Sequence, residues 1–309
     1  MIRLDAATVL LQWATGGLLF TWVTTRHREV GLGYGWLMRG VYLVMAAGAL
    51  ACGLAFGVVP VREAATAGVV LATLVALVVS WLRRGAGVSG QRAEHDRRTA
   101  RVAAMTGIDR STTATVTTVT TSSPASGSAS ASASAGATQA GEHVTREFPP
   151  GLDLVAPVIG AVGLIAAGGD AGGSTGLAVA RLLAGAAFLG SITDAMLLGH
   201  WYLVQPGLPR RLLNELVRAT MLVWPIEVGL LLLRPGMIQV LNGTIDDGWG
   251  GVLGWFWVAC AVTTVVLLFV TRAALREREY SAVMAATGLL YLAILTAFGT
   301  DLVARAVLA

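Results

Sequence analysis

Long apolar runs separated by short polar segments dominate the chain. Eight of these runs are long enough to cross a membrane as helices, because a bilayer core of about 30 Å needs roughly 20 mostly apolar residues. They cover residues 5–25, 35–58, 64–82, 151–169, 177–200, 212–233, 249–271 and 281–304. Transmembrane β-strands would instead show short segments in which apolar and polar residues alternate. The pattern therefore predicts an all-α, polytopic membrane helix bundle with about eight transmembrane helices.

One long polar segment interrupts this pattern after the third run. Residues 85–110 are polar and basic, and residues 111–141 are rich in Ser, Thr, Ala and Gly without any charged side chain. A segment of this composition cannot bury enough apolar surface to offset the entropy lost on ordering. We expect a disordered linker over residues 85–150 that joins two four-helix halves. About three spans then lie in residues 1–84 and about five in residues 151–309.

The placement of arginine predicts the orientation in the membrane. All 22 basic residues are Arg, and cytoplasmic loops of membrane proteins carry an excess of Lys and Arg. The first, third, fifth and seventh polar segments are basic, whereas the second, fourth and sixth hold one arginine or none. We expect both termini outside and the linker in the cytoplasm. The absence of Lys beside abundant Ala, Val and Gly indicates a GC-rich genome and a bacterial cytoplasmic membrane.

Composition also limits the partners. Charged residues make up 13% of the chain, about half of the usual share in soluble domains. The lipid bilayer is therefore the main expected partner, and other membrane subunits stay open as further partners. A formal charge of +4 could favour nucleic acid, but the arginines lie between apolar runs, as orientation charges do. We predict no nucleic-acid binding.

Ionisable residues inside the predicted spans are the candidates for function. Such side chains are costly at bilayer depth and mark functional sites by default. The predicted orientation divides seven of them into two layers. The inner layer holds Asp194, His200, Glu215 and Arg218, and the outer layer holds Arg181, Glu227 and Asp301. We expect these side chains to form a path for a substrate or a proton.

Two of these residues need partners from other helices. Asp194 has no ionic partner on its own run, and Arg218 is the candidate. Glu227 follows Pro225, which frees a backbone carbonyl, and Arg181 is its candidate partner. In both cases the structural alternative is an ion pair that only holds helices together.

The remaining inner residues have a simpler interpretation. Arg211, Glu215 and Arg218 share one helix face, where they are expected to neutralise one another near the headgroups. His200 lies at the predicted membrane boundary beside Trp201, where water reaches it. Asp194 and Glu227 therefore stand out within the candidate set.

Cofactor motifs are sparse. Cys52 and Cys260 each lie within an apolar run without a nearby Cys or His, so no metal site is predicted. Only two of the four histidines, His27 and His200, lie at span ends, where a haem iron would need axial ligands. We predict no cofactor, and haem or quinone remains an alternative without a supporting motif.

Three functions fit these observations. The favoured one is a transporter-like bundle with a polar intramembrane site for an ion, a proton or a small solute. The second is a quinone-reactive or accessory subunit of a respiratory membrane complex, in which Asp194 and His200 exchange protons with a quinone. The third is a non-catalytic assembly factor or scaffold. The chain lacks a P-loop, an H-E-x-x-H motif and a G-x-S-x-G motif, so we assign no catalytic residue.

Overall fold

The described part of the protein is helical, as the apolar runs predict. A computed structural model describes residues 4–84, 148–205, 207–277 and 279–309, and these ranges contain helices but no β-strand. The helices are α1 (Ala6–Thr25), α2 (Leu32–Phe56), α3 (Pro60–Leu82), α4 (Val155–Asp170), α5 (Thr175–Val204), α6 (Arg211–Leu232), α7 (Met237–Leu241), α8 (Val252–Ala274) and α9 (Tyr280–Leu308). A short 3-10 helix, Pro150–Leu154, leads into α4.

Among the residues that the structure describes, seven helical segments are long and apolar enough to cross a membrane. They are α1, α2, α3, the 3-10 helix together with α4, α5, α8 and α9. The other long helix, α6, has 22 residues but carries Arg211, Glu215, Arg218 and Glu227. The predicted all-α membrane bundle is therefore confirmed, with seven helices that meet both criteria and α6 as the most polar of the long helices.

The long helices pack as two groups of four. In the first group α1 contacts α2 and α4, while α3 contacts the same two helices. In the second group α5 contacts α6 and α9, while α8 contacts those two helices as well. Since α5 also contacts α1 and α4, it joins the groups. The boundary between the two packing groups therefore lies between Asp170 and Thr175. It follows α4 and does not coincide with the predicted linker, which precedes α4.

Helix α5 is the centre of the bundle. It runs over 30 residues, and 78% of its most apolar stretch is buried. The predicted run ended at residue 200, but the helix continues to Val204. Asp194 thus lies ten residues from the helix end, about 15 Å along the axis, and not close to the end as expected.

A buried ion pair fixes the chain on both sides of the predicted linker. Residues 85–147 of that linker lie outside the described residues. The Arg39 guanidinium in α2 donates through Nε and Nη2 to the two carboxylate oxygens of Asp153, both at 2.7 Å. Thr25 of α1 donates to the same carboxylate at 3.0 Å, and the ring centroid of Phe148 lies 4.4 Å from the guanidinium carbon. The segment after the linker is therefore bonded to two helices that precede it.

The second buried arginine is Arg62, and its position differs from the sequence prediction. Arg62 was expected in a loop, but it lies in the first turn of α3 with a 3% exposed side chain. It forms ion pairs with Asp5, which caps α1, and with Glu63. Arg62 therefore joins two helices and is not a free loop charge.

One carboxylate organises the loop before α8. Asp247 accepts backbone N–H bonds from Gly251 at 2.8 Å, from Trp249 at 2.9 Å and from Leu253 at 2.9 Å. These bonds favour the ionised form, and the bond from Gly251 contributes most to a pKa of Asp247 below its ordinary value. Asp247 satisfies donors that the first turn of α8 cannot bond internally.

Candidate functional site

Two polar clusters lie buried along α5. The first surrounds Arg181 near the start of the helix, and the second surrounds Asp194. The two residues are 13 positions apart, which corresponds to about 20 Å along the helix axis. Sequence analysis placed these residues in separate layers, and the structure keeps them apart.

The first cluster draws on four helices at one end of the bundle. We call it the carboxylate cluster, and its members are Gln12 (α1), Arg181 (α5), Glu227 (α6), Asp301 (α9) and Arg305 (α9). All five side chains are buried. Gln12, Arg181, Glu227 and Asp301 lie five to seven residues from the nearer ends of their helices, or about 8–11 Å. The cluster thus occupies one level of the bundle.

Three members of the carboxylate cluster bond to one another. Arg305 donates through Nε to Asp301 Oδ2 at 2.8 Å, and its Nη2 donates to Gln12 Oε1. Gln12 returns a bond from Nε2 to Asp301 Oδ1 at 3.3 Å. A closed triangle of hydrogen bonds therefore satisfies the buried Arg305 charge and links α1 to α9.

Arg181 has a structural role that the sequence did not suggest. Its guanidinium donates to the backbone carbonyls of Leu230 at 2.9 Å, Leu233 at 2.8 Å and Pro235 at 2.7 Å. The last carbonyls of a helix lack internal partners, and a cation at this end is favoured by the helix dipole. Arg181 therefore caps α6, and the predicted Arg181–Glu227 ion pair is wrong.

Glu227 is left without a hydrogen-bond partner. Its side chain is 0% exposed, and neither carboxylate oxygen bonds to any group in the described part of the chain. It lies within electrostatic range of Asp301, Arg305 and Arg181. The four charged groups balance as two positive and two negative charges when Glu227 is ionised. Buried polar groups are nearly always bonded, so this carboxylate requires an explanation.

A glycine makes room for the cluster. A Cβ atom at Gly185 in α5 would lie 2.4 Å from Gln12 Nε2 and 3.1 Å from Asp301 Oδ1. Both separations are shorter than a normal van der Waals contact. The backbone of α5 therefore approaches the triangle of Gln12, Asp301 and Arg305 too closely for a larger residue.

The second cluster holds Asp194 by hydroxyl groups. Tyr42 of α2 donates its hydroxyl to Asp194 Oδ1, and Thr21 of α1 donates to Oδ2 at 3.2 Å. A Cβ atom at Gly17 would lie 2.0 Å from the Tyr42 ring, so this glycine is needed for the tyrosine to reach Asp194. Asp194 is 0% exposed, whereas Arg218 is exposed on another helix. The predicted Asp194–Arg218 pair is therefore wrong.

An apolar layer separates the two clusters along α5. Phe188, Leu189 and Ile192 pack with Ala293 and Ala297 of α9, and all five are completely buried. These residues lie between Arg181 and Asp194 in the sequence of α5. The side of α5 that faces α9 is therefore apolar between the two clusters.

The predicted inner layer does not assemble as one site. Glu215 pairs with Arg26 and with His27, whose Nε2 lies 3.0 Å from Glu215 Oε2. His200 is exposed and is not brought to Asp194. The expectation that Glu215 neutralises the arginines of its own helix face is therefore wrong, and the exposed His200 lies apart from the buried Asp194.

Several site residues were not identified from the sequence. Arg305 follows Asp301 by four residues, and that spacing on a helix was a usable signal. Gln12 was visible as a polar residue within an apolar run. Tyr42 and Thr21 gave no comparable signal, because both residue types are common in membrane helices without a special role.

The described residues include no group of three or more His, Cys, Asp and Glu side chains that could hold a metal ion. His27 bonds to Glu215, and His200 is exposed. The buried ionisable groups of the two clusters include the carboxylates of Asp194, Glu227 and Asp301, which are groups that can bind a proton.

Comparisons with known protein families, with curated proteins and with solved structures give no match. The identity of the protein therefore depends on its own helices and their chemistry. Seven long apolar helices in the described residues, with the buried helix α5 at their centre, make this chain a multi-pass integral membrane protein.

Proposed function

We propose that the protein is a transporter-like bundle in which Glu227 binds and releases a proton. One observation carries this proposal: a completely buried carboxylate whose two oxygens have no hydrogen-bond partner among the described residues. A proton on this carboxylate removes a charge that the surrounding helices leave unbonded. Burial of an unpaired charge is among the most costly arrangements in a protein.

The neighbours of Glu227 favour a change of protonation. Asp301 accepts bonds from Arg305 and Gln12, and Glu227 makes no hydrogen bond to it in this arrangement. Arg181 donates through Nε and Nη2 to backbone carbonyls at the end of α6 and does not bond to Glu227. The fixed partners therefore leave Glu227 as the member of the carboxylate cluster whose charge can change without breaking an existing bond.

The ligand of the site is a proton in preference to a larger solute. A proton needs no cavity, and the cluster is packed so tightly that even a methyl group at Gly185 would collide with it. Carboxylates within membrane helices recur in proton relays. Asp194 supplies a second buried carboxylate farther along α5, and apolar side chains of α5 and α9 lie between the two carboxylates.

The proposal includes the orientation derived from the arginines. The cluster end of the bundle then faces outside together with both termini, and the opposite end faces the cytoplasm of a bacterial cell. A membrane-impermeant thiol reagent tests this, with single cysteines at Asn242 and Arg276 in a chain that lacks Cys52 and Cys260. We expect labelling of the Asn242→Cys variant, and no labelling of the Arg276→Cys variant, from the outside of intact cells.

Carbodiimide labelling tests whether Glu227 takes up a proton. Hydrophobic carbodiimides react with protonated carboxyl groups, and mass spectrometry of peptides locates the adduct. We expect an adduct at Glu227 that decreases as the pH rises. Glu215 is the internal control, because this carboxylate on the same helix is partly exposed and pairs with Arg26. Labelling of Glu215 but not Glu227 would contradict the proposal.

Proton flux tests the function itself. Protein in vesicles with an internal pH dye and an imposed potassium diffusion potential should acidify or alkalinise the interior faster than protein-free vesicles. We expect Glu227→Gln to reduce the flux at least tenfold, and the matched variant Glu215→Gln to retain it. Flux that survives in Glu227→Gln would refute the role of this carboxylate.

A scaffold is the competing function, and the buried ion pairs favour it. Arg39–Asp153 and Arg62–Asp5 join separate segments of the bundle, and Arg305 links α9 to α1 through Gln12. If the protein only organises helices, carbodiimide labels neither buried carboxylate and the vesicles show no flux above background. That pair of results would support the scaffold over the transporter.

A further inference from the structure

A basic groove opens at the end of the bundle opposite the carboxylate cluster. It lies between the start of α6 and the end of α8, with a cavity volume of about 860 Å³. Four arginines line it: Arg211, Arg218, Arg272 and Arg276. The volume is within the range of small-molecule sites, so the groove is large enough to hold a ligand.

Most of the positive charge in this groove is not compensated. Glu215 is the acidic residue of the lining, and it already pairs with Arg26 and His27. Arg211 pairs with Glu29. The side chains of the other three arginines of the groove have no hydrogen bond or ion pair within the part of the chain that the structure describes.

The groove combines this charge with an apolar wall. Ala219, Leu222 and Leu275 belong to the lining, and Leu222 is 71% exposed. Phe269, one turn before Arg272 on α8, is also exposed. Exposed leucine and phenylalanine side chains in a membrane bundle are expected to contact lipid tails, so an acyl chain can lie along this wall of the groove.

The depth of the groove corresponds to the headgroup region. Arg218 lies seven residues into α6, about 10 Å from its first residue, and Arg272 lies in the last turn of α8. The guanidinium group binds phosphate through two parallel hydrogen bonds, and basic pockets between membrane helices bind anionic headgroups.

We propose that this groove is a binding site for the phosphate of an anionic phospholipid, whose acyl chains lie along Leu222 and the neighbouring face of α8. The arginines bind the phosphate, and the apolar wall selects a lipid over a soluble phosphate. The site is independent of the proton-binding role of Glu227, since the two lie at opposite ends of α6.

Native mass spectrometry of the full chain in a mild detergent tests the site. The probes are short-chain phosphatidylglycerol, phosphatidylcholine of the same chain length, and inorganic phosphate. We expect phosphatidylglycerol to bind at least tenfold more tightly than phosphatidylcholine, because only the former carries a net negative charge. Inorganic phosphate should compete weakly, since it lacks the acyl chains.

Matched variants locate the binding. Arg218→Gln should weaken phosphatidylglycerol binding about tenfold, the effect of losing one charge-assisted bond to phosphate. Arg218→Lys should lose less, because it keeps the charge but not the paired bonds. Arg234→Gln, at an exposed arginine just beyond the other end of α6, should change the affinity less than twofold.

Two results would overturn the proposal. Equal losses in Arg218→Gln and Arg234→Gln would show a general charge effect without a defined site. Complete displacement of phosphatidylglycerol by inorganic phosphate would show a soluble phosphate site. Gel filtration of each variant verifies folding, and Arg272→Gln provides a second test from the other wall of the groove if Arg218→Gln fails to fold.

Discussion

Replacement of Glu227 by leucine should stabilise the protein while it abolishes proton flux. A buried polar atom without a partner costs about 1–3 kcal/mol, and both oxygens of this carboxylate lack one. Leucine fills a similar volume and carries no polar atom. The attraction of Glu227 to Arg305 and Arg181 is lost, but so is its repulsion by Asp301. We therefore expect Glu227→Leu to raise the free energy of unfolding by about 1–3 kcal/mol.

The assay is equilibrium unfolding in mixed micelles, with helical content followed by circular dichroism. Asp301→Leu is the control within the same cluster, and it should act in the opposite direction. It leaves Arg305 buried without its ionic partner, which costs about 3–5 kcal/mol. Destabilisation of Glu227→Leu by more than about 1 kcal/mol would refute the reasoning, because it would show that Glu227 has a stabilising partner.

Three further predictions concern other contacts. Gly185→Ala should reduce both stability and flux by pushing apart the carboxylate cluster, whereas Gly229→Ala, which meets open space, should be neutral in the same two assays. Tyr42→Phe should lower the free energy of unfolding by about 1.5–3 kcal/mol, because Asp194 loses a charge-assisted bond; an unchanged value would mean that the bond contributes nothing. The lowered folded pKa of Asp247 means that its contribution to loop order is present above the unfolded value of about 3.9 and is lost as the pH falls through the folded value. The fluorescence of Trp249, whose backbone N–H bonds to Asp247, should therefore change below about pH 4, and Asp247→Asn should remove that change.

The helices were predictable because span length and hydropathy depend on local composition. The eight predicted runs correspond to the long helices, with ends displaced by a few residues. The ends moved where a helix continues past a polar residue, as at the end of α5, where residues 201–204 follow His200. The same local view could not show that α4 packs with the helices before the linker, since that depends on contacts between distant segments.

The candidate residues were found, but their partners were not. Burial cost singles out Asp194, Glu227 and Asp301 from sequence alone, because an ionisable residue in an apolar run is rare. Partner choice depends on which helix faces are adjacent. Arg181 bonds to backbone carbonyls, and Asp194 bonds to tyrosine and threonine hydroxyls. Because these partners carry no charge, they could not be predicted by matching opposite charges in the sequence.

The Arg39–Asp153 ion pair has a consequence for how the chain can be divided. Asp153 lies just after the predicted linker, yet it is bonded to α1 and α2, and α4 packs against α1 and α3. Noncovalent contacts therefore connect these helices in addition to the covalent linker. Two separately expressed fragments, residues 1–84 and 148–309, should assemble into one complex that copurifies. Arg39→Met in the first fragment should weaken that assembly, since the Asp153 carboxylate then lacks its cation.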